Sequence, residues 1–201
     1  MKLSTQYLLR AWNDKAPDWD KRLEKFSQTL IEQIDTLSSI ANEFSNFAQM
    51  PPADIERVDL VSVCEAAVDL YKTSAPAKII FNKRVDVAYI NADKDHLLRI
   101  FNNLIKNGLQ AIPDGREGII NISLSKSNSD FLITIADNGI GIDDEIKEKI
   151  FRPNFTTKTK GMGLGLAMVK NMVEMVNGKI WFETVKDVGT TFYISYRNAD
   201  A

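Results

Sequence analysis

The chain has 201 residues, 44% hydrophobic and 26% charged, with a formal net charge of −2, one cysteine and one histidine. That balance fits one large or two small globular domains and gives no support for a general nucleic-acid or membrane-surface binder. The lone Cys64 excludes an intrachain disulfide and, beside a single histidine, argues against a Cys/His zinc site.

Leu3, Tyr7 and Trp12 suggest a first helix, ended by the turn residues Asn13–Asp14–Lys15–Ala16–Pro17–Asp18. From Leu23 onward, Leu23, Phe26, Leu30, Ile34, Leu37, Ala41, Phe44 and Ala48 step by threes and fours, a heptad seam about three and a half heptads long. The two segments predict a helical hairpin over about 1–49. So amphipathic a helix needs a partner, and a four-helix bundle from two chains supplies one. Met50–Pro51–Pro52 stops the helix and marks a domain boundary.

Beyond the prolines the pattern is mixed. Asp59 can cap a helix running to about Tyr71, in which Leu60, Val63, Cys64, Ala67, Val68 and Tyr71 form an apolar stripe with Cys64 as a small core residue. Lys78–Asn82 and Val85–Ile90 read as strands. Asp93 can cap the next helix, which stops at Pro113. Ile119–Ser125 and Phe131–Ala136 read as a hairpin turned at Ser127–Asn128–Ser129–Asp130. A short helix is expected over Asp144–Ile150 and a longer one over Leu164–Val176, followed by Gly178. Lys179–Val185 and Thr190–Tyr196 close as a second hairpin. Strands paired by hairpins, with helices between them, give an α+β domain of one sheet with helices on one face. No apolar run reaches the ~18–20 residues of a membrane span and no signal-peptide pattern opens the chain, so the expected location is the cytoplasm.

Three stretches carry chemistry. On the helix after Asp93, Arg99, Asn103, Asn107 and Gln110 form a polar stripe opposite the apolar face. Asn is a middling helix former, and two of them one turn apart can point side-chain oxygens at one magnesium ion; a solvated helix face is the alternative. Asp137 follows an apolar strand and opens Asp137–Asn138–Gly139–Ile140–Gly141. An acceptor-only carboxylate suits the exocyclic amino group of adenine and repels the carbonyl of guanine. Gly139 and Gly141 permit close approach beside it; alone, the stretch would also pass for an ordinary Asp-Asn-Gly turn. Ile142 has two readings, a cover for the adenine ring or a core residue. Gly161–Met162–Gly163–Leu164–Gly165 precedes a helix, and backbone N–H groups there form an anion site. It is neither a dinucleotide fingerprint nor a Walker loop. Thr156, Lys158 and Lys160 lie just before it, either closing over phosphates or forming a solvated loop. Together the three stretches supply magnesium ligands, an adenine-reading carboxylate and a phosphate cradle, as an ATP site requires.

Asn103–Leu104–Ile105–Lys106–Asn107 resembles the N box, and the other two stretches the glycine boxes, of sensor histidine kinases in the GHKL group of ATP-binding domains. Phe151–Arg152–Pro153–Asn154–Phe155 resembles the F box, and Gly189–Thr190–Thr191–Phe192 the last glycine-containing strand signature. Glu43–Phe44–Ser45–Asn46–Phe47–Ala48 and the opening Met1–Lys2–Leu3–Ser4 resemble the bundle helices of nitrogen-regulation-type sensor kinases. The resemblance implies a GHKL α/β sandwich over 51–201, preceded at 1–50 by part of a dimerisation and histidine-phosphotransfer hairpin. It implies ATP and Mg2+ as cofactors. The ATP-binding positions it implies are Asn103, Asn107, Asp137, Gly139, Gly141, Ile142, Thr156, Lys158, Lys160, Gly161, Met162, Gly163, Leu164, Gly165 and Thr190, with Asn103 and Asn107 as the expected metal ligands. Phe151 and Phe155 are expected to anchor the lid by packing.

Related chaperone, topoisomerase and mismatch-repair ATPases carry a water-activating Glu where this chain has Asn103. An Asn cannot take a proton near neutral pH, which favours phosphoryl transfer over hydrolysis. Many histidine kinases carry a basic residue at the position of Gln110. The acceptor motif, similar to His-Glu-x-x-Asn-Pro-Leu, is missing: the one histidine, His96, lies beside Asp95 at the start of the N-box helix, where a surface or helix-start role is expected. No catalytic nucleophile or base can be named, and intramolecular autophosphorylation is not expected of this piece. The expected partners are ATP, the receiver domain of a response regulator and a second copy of the chain through 1–50. The rival readings are a GHKL ATPase, a protein-serine kinase of the anti-sigma type, and a non-catalytic dimeric nucleotide sensor.

Overall fold

The computed structural model describes residues 6, 9, 12, 18–48, 52–72, 76–158 and 162–200. The chain divides into two compact units, one of Met1–Gln49 with Thr156–Met162, the other of Met50–Phe155 with Gly163–Ala201.

The first unit is built on α1, Trp19–Ala48, thirty residues long. Asp18 starts it: its carbonyl accepts from Arg22 N at 3.1 Å, and its carboxylate accepts from Arg22 Nε at 2.7 Å. Gln6, Leu9 and Trp12 are helical, and the Trp12 ring lies 4.9 Å from that of Trp19. The turn expected at 13–17, and with it the closure of the hairpin, lies outside the described residues.

In the second unit, β1 (Glu56–Asp59) leads into α2 (Leu60–Lys72), then β2 (Ala77–Lys83), β3 (Tyr89–Ala92) and α3 (Lys94–Ala111). There follow β4 (Gly118–Ser127), β5 (Asp130–Asp137), a 3-10 turn at Asp144–Lys149, α4 (Gly165–Met175), β6 (Lys179–Val185) and β7 (Gly189–Arg197). Five strands form one sheet in the order β2-β4-β5-β7-β6, and β1 pairs with β3 in a separate antiparallel ribbon. Within the sheet only β2 and β4 run parallel, a pairing that needs the long crossover through β3 and α3. Alternate residues of β4, β5 and β7 (Ile120, Ile122, Leu124; Phe131, Ile133, Ile135; Phe192, Ile194, Tyr196) are buried on one face. Leu60 and Val63 of α2, Leu97, Phe101 and Leu104 of α3, and Val169 and Met172 of α4 are buried as well and belong to the same core. Cys64 is in this core, and burial pushes its thiol up to about 12.

Two expectations are corrected. Val85–Ile90 is not a strand; the strand lies later, at Tyr89–Ala92. The reason is Asp59, whose carboxylate accepts from Val61 N, capping α2, and also from Ala88 N at 3.0 Å. Ala88 O in turn accepts from Leu60 N at 2.8 Å, so this segment is pinned to the start of α2 and not to a neighbouring strand. His96 starts its helix but is not on the surface: it is 4% exposed, with its N–H donated to Asp93. No described helix is long and apolar enough to cross a membrane.

Candidate nucleotide site

The helix α3 is the spine of the site. Asp93 holds its first turn by accepting from His96 N at 3.0 Å and also accepts from Asp54 N at 2.9 Å. Burial pushes the Asp93 carboxyl up, but these N–H groups outweigh it and hold the group below the ordinary carboxylate range. Leu97, Ile100, Phe101, Leu104 and Ile105 are fully buried, which fixes the helix rotation and leaves Asn103 and Asn107 half-buried on another side, with Gln110 exposed. Asn103 Nδ2 donates to Arg99 O at 2.9 Å, so the amide oxygen points away from its own helix backbone. That oxygen meets Gly165 at the start of α4, where a Cβ would lie only 2.8 Å from it. One turn on, Gly108 lies against Asp137: a Cβ there would come within 3.1 Å of the Asp137 Cβ. The asparagine helix therefore touches both other motifs, and glycine is what lets it do so.

Asp137 ends β5. Its Oδ1 accepts from Gly139 N at 2.8 Å and from Thr190 N at 3.2 Å, which fixes the plane of the carboxylate. Thr190 is 4% exposed and shares a 3.0 Å hydrogen bond with Thr184 on β6. Gly141 takes a φ of +72° and packs on the backbone of Val185 and Lys186, so the β6–β7 turn supports the Asp137 turn from one side. Ile142 N donates to Thr184 Oγ1 at 2.9 Å, which ties Ile142 to the same support. Gly163, at φ +68°, lies against the Phe155 backbone. Leu164, at the N-cap of α4, makes no side-chain cap hydrogen bond, and N–H groups at a helix start are suited to anions.

Residues 92–199 match the family described as histidine kinase-, DNA gyrase B- and HSP90-like ATPases. The chain belongs to this ATPase family. Within it, the chain is 30% identical over 192 residues to sensor histidine kinase ZraS of Escherichia coli K12, covering 94% of this chain and 41% of ZraS. It is 30% identical over 186 residues to nitrogen regulation protein NtrY of Azorhizobium caulinodans, covering 90% of this chain and 24% of NtrY. It therefore spans less than half the length of either relative. A nucleotide-free form of the catalytic domain of histidine kinase ThkA superposes with a TM-score of 0.64 at 27% identity, covering 72% of this chain and 96% of that one. The α+β expectation and the resemblance to sensor histidine kinases agree with these findings.

The ATPase-family match begins at Ala92, one residue before the Asp93 cap, and ends after β7, so every motif described above lies inside it. Asn103, Gly165, Asp137, Gly139, Gly141, Ile142 and Thr190 are brought together in one unit by the contacts above. Thr156, Lys158 and Met162 belong to the other compact unit, where Lys158 N donates to Thr156 Oγ1 at 3.1 Å. Lys160 and Gly161 lie outside the described residues. Phe151 packs edge-on against Phe182 and Phe192 at 6.0 and 6.4 Å, so it is fixed to the sheet. Sequence reasoning missed Thr184, whose place in an alternating strand carries no signal, and Arg116, which sits in an exposed turn.

Proposed function

We propose that residues 51–201 bind ATP with magnesium and present the γ-phosphoryl group to a histidine on a bundle helix, as the ATP-binding portion of a nitrogen-regulation-type sensor histidine kinase. The observation that carries this reading is the double contact of α3, at Asn103 with Gly165 and at Gly108 with Asp137. These contacts put the asparagine helix against both Asp137 and the start of α4, which supports reading the three as parts of one site.

In this reading Asp137 accepts the adenine amino group, and Thr190 and Gly139 hold that carboxylate in place. Gly141 and Ile142 shape the turn beside it. The Gly163–Leu164–Gly165 backbone would meet phosphate, and Thr156, Lys158, Lys160, Gly161 and Met162, which precede it in the sequence, are further candidate ATP-binding positions. Asn103 and Asn107 would hold the magnesium. The donor set fits: the Asn103 amide nitrogen is spent on Arg99 O, leaving a hard oxygen as the group turned toward Gly165. The ion would supply charge neutralisation on the phosphates. An Asn at position 103 offers no base for activating water, so the site favours transfer to an incoming nucleophile over hydrolysis. A histidine nitrogen forms the new N–P bond as the bond from the γ-phosphorus to the bridging oxygen breaks and ADP departs. A response-regulator aspartate then takes the phosphoryl group. A second copy of the chain, joined through 1–50, and a cytoplasmic location where ATP is abundant complete the proposal.

The test is to add a separate protein fragment carrying the acceptor helix to the chain with magnesium and labelled ATP. Acid-labile phosphate on that fragment, absent with Asp137→Asn, is the expected result. Steady phosphate release with no acceptor would instead indicate an ATPase, and binding with neither product a nucleotide sensor.

A further inference from the structure

The turn after Asp137 is gripped from a second side, by the segment that follows α3. The Asn138 side chain acts as a piece of strand: Oδ1 accepts from Ile119 N at 2.8 Å, and Nδ2 donates to Glu117 O at 2.8 Å. Ile140 N donates to Ala111 O at 2.9 Å, and a Cβ on Gly139 would fall on Ala111. Between these anchors, Arg116 Nη1 donates to both Asn138 O at 2.7 Å and Gly139 O at 2.9 Å. Two successive carbonyls turned toward one point repel each other, and a guanidinium between them removes that repulsion.

The first of those carbonyls has a consequence at the site. Asn138 O and Gly139 N belong to one peptide group, whose oxygen is taken by Arg116 and whose N–H is donated to Asp137 Oδ1. A cation on the oxygen orients that peptide plane and polarises its N–H, strengthening the bond at the other end.

We infer that Arg116 is a positioning residue for nucleotide recognition, holding the Asp137 carboxylate in its binding orientation through the peptide between Asn138 and Gly139. The inference rests on the reading of Asp137 as the adenine acceptor. It extends that reading to a side chain outside every motif, in an exposed turn after the helix.

The test uses the whole 201-residue chain, with magnesium-ATP titrated calorimetrically into wild type, Arg116→Ala, Arg116→Lys, Asp137→Asn and the Arg116→Ala/Asp137→Asn pair. Arg116→Ala is expected to weaken ATP binding about five- to twentyfold, as loss of a partly exposed charge-assisted contact should. Arg116→Lys recovers most of that loss, because one nitrogen makes both bonds and an ammonium carries enough donors. In the Asp137→Asn background the further loss from Arg116→Ala shrinks to less than about twofold, since coupled sites are not additive. Melting without nucleotide shifts by no more than about 1–2 °C, as for an ordinary surface substitution. An Arg116→Ala protein that binds ATP like wild type, while Asp137→Asn does not, overturns the inference and leaves the site reading standing. Equal losses in both backgrounds, or a large melting shift that lysine does not repair, overturn it as well. A wild type that binds no ATP removes the site reading and the inference together.

Discussion

Asp137 commits one carboxylate oxygen to two backbone N–H groups, those of Gly139 and Thr190, so its orientation is set by the fold itself. Asp137→Asn keeps the size and can keep one acceptor, but it replaces a charged acceptor with an amide that presents a donor. The lost charge-assisted hydrogen bond should cost about 1.5–3 kcal/mol, roughly tenfold to more than a hundredfold in ATP affinity. Calorimetric titration checks this, and equal affinities would remove Asp137 from the site. Asn107 tests the metal. Asn107→Ala deletes the proposed oxygen ligand while inserting the best helix former, so magnesium-dependent affinity should fall with little change in melting without nucleotide. A collapse in stability would instead make Asn107 a structural residue.

At the scale of elements, the site depends on how α3 is started and held. Asp93→Ala removes the acceptor for His96 N and for Asp54 N and should cost about 0.5–2 kcal/mol, toward the upper end because two N–H groups lose their partner. The pH dependence follows from the lowered Asp93 pKa. Folded protein releases this proton more readily than unfolded chain, so the contribution is complete above about pH 4, the unfolded range, and is lost as pH falls through the lower folded value. Thermal unfolding between pH 2 and 6 should show a shallower acid loss for Asp93→Ala than for wild type; equal slopes would exclude Asp93 as a contributor. The cap of α3 was legible because Asp93 precedes the apolar periodicity directly, and β4 and β5 because their alternation is local. The ribbon of β1 and β3 was not, since its register is set by Asp59 reaching Ala88, 29 residues away. The glycines were legible as positions but not fully as causes. Gly163 and Gly165 also admit the Phe155 backbone and the Asn103 oxygen, contacts that no local pattern encodes. The supports of Asp137 from Thr184, Thr190 and Arg116 come from separate segments, and only Thr190 lay in a recognisable motif.

At the scale of the whole molecule, the question is what the seam of α1 meets. Leu23, Ile34 and Leu37 are 41%, 51% and 53% exposed, and Ile31 beside them is 53% exposed. Large apolar side chains stepping by threes and fours from Leu23 to Leu37 are what a second, identical helix covers in a bundle. Each such side chain gains roughly 1.5–3 kcal/mol when fully buried, so a few of them suffice to offset the entropy of association at micromolar concentration. The expected outcome is a mass in light scattering near twice 22.6 kDa that falls toward one chain on dilution. Leu30→Glu with Leu37→Glu puts two charges on the seam of each chain without breaking the helix, since Glu is a good helix former. It should shift the equilibrium by at least tenfold toward monomer, with circular dichroism at high concentration separating lost association from lost helix. A wild type that remains monomeric at hundreds of micromolar would show that the seam is not a self-association surface. A double variant that remains dimeric would move the interface elsewhere in the chain.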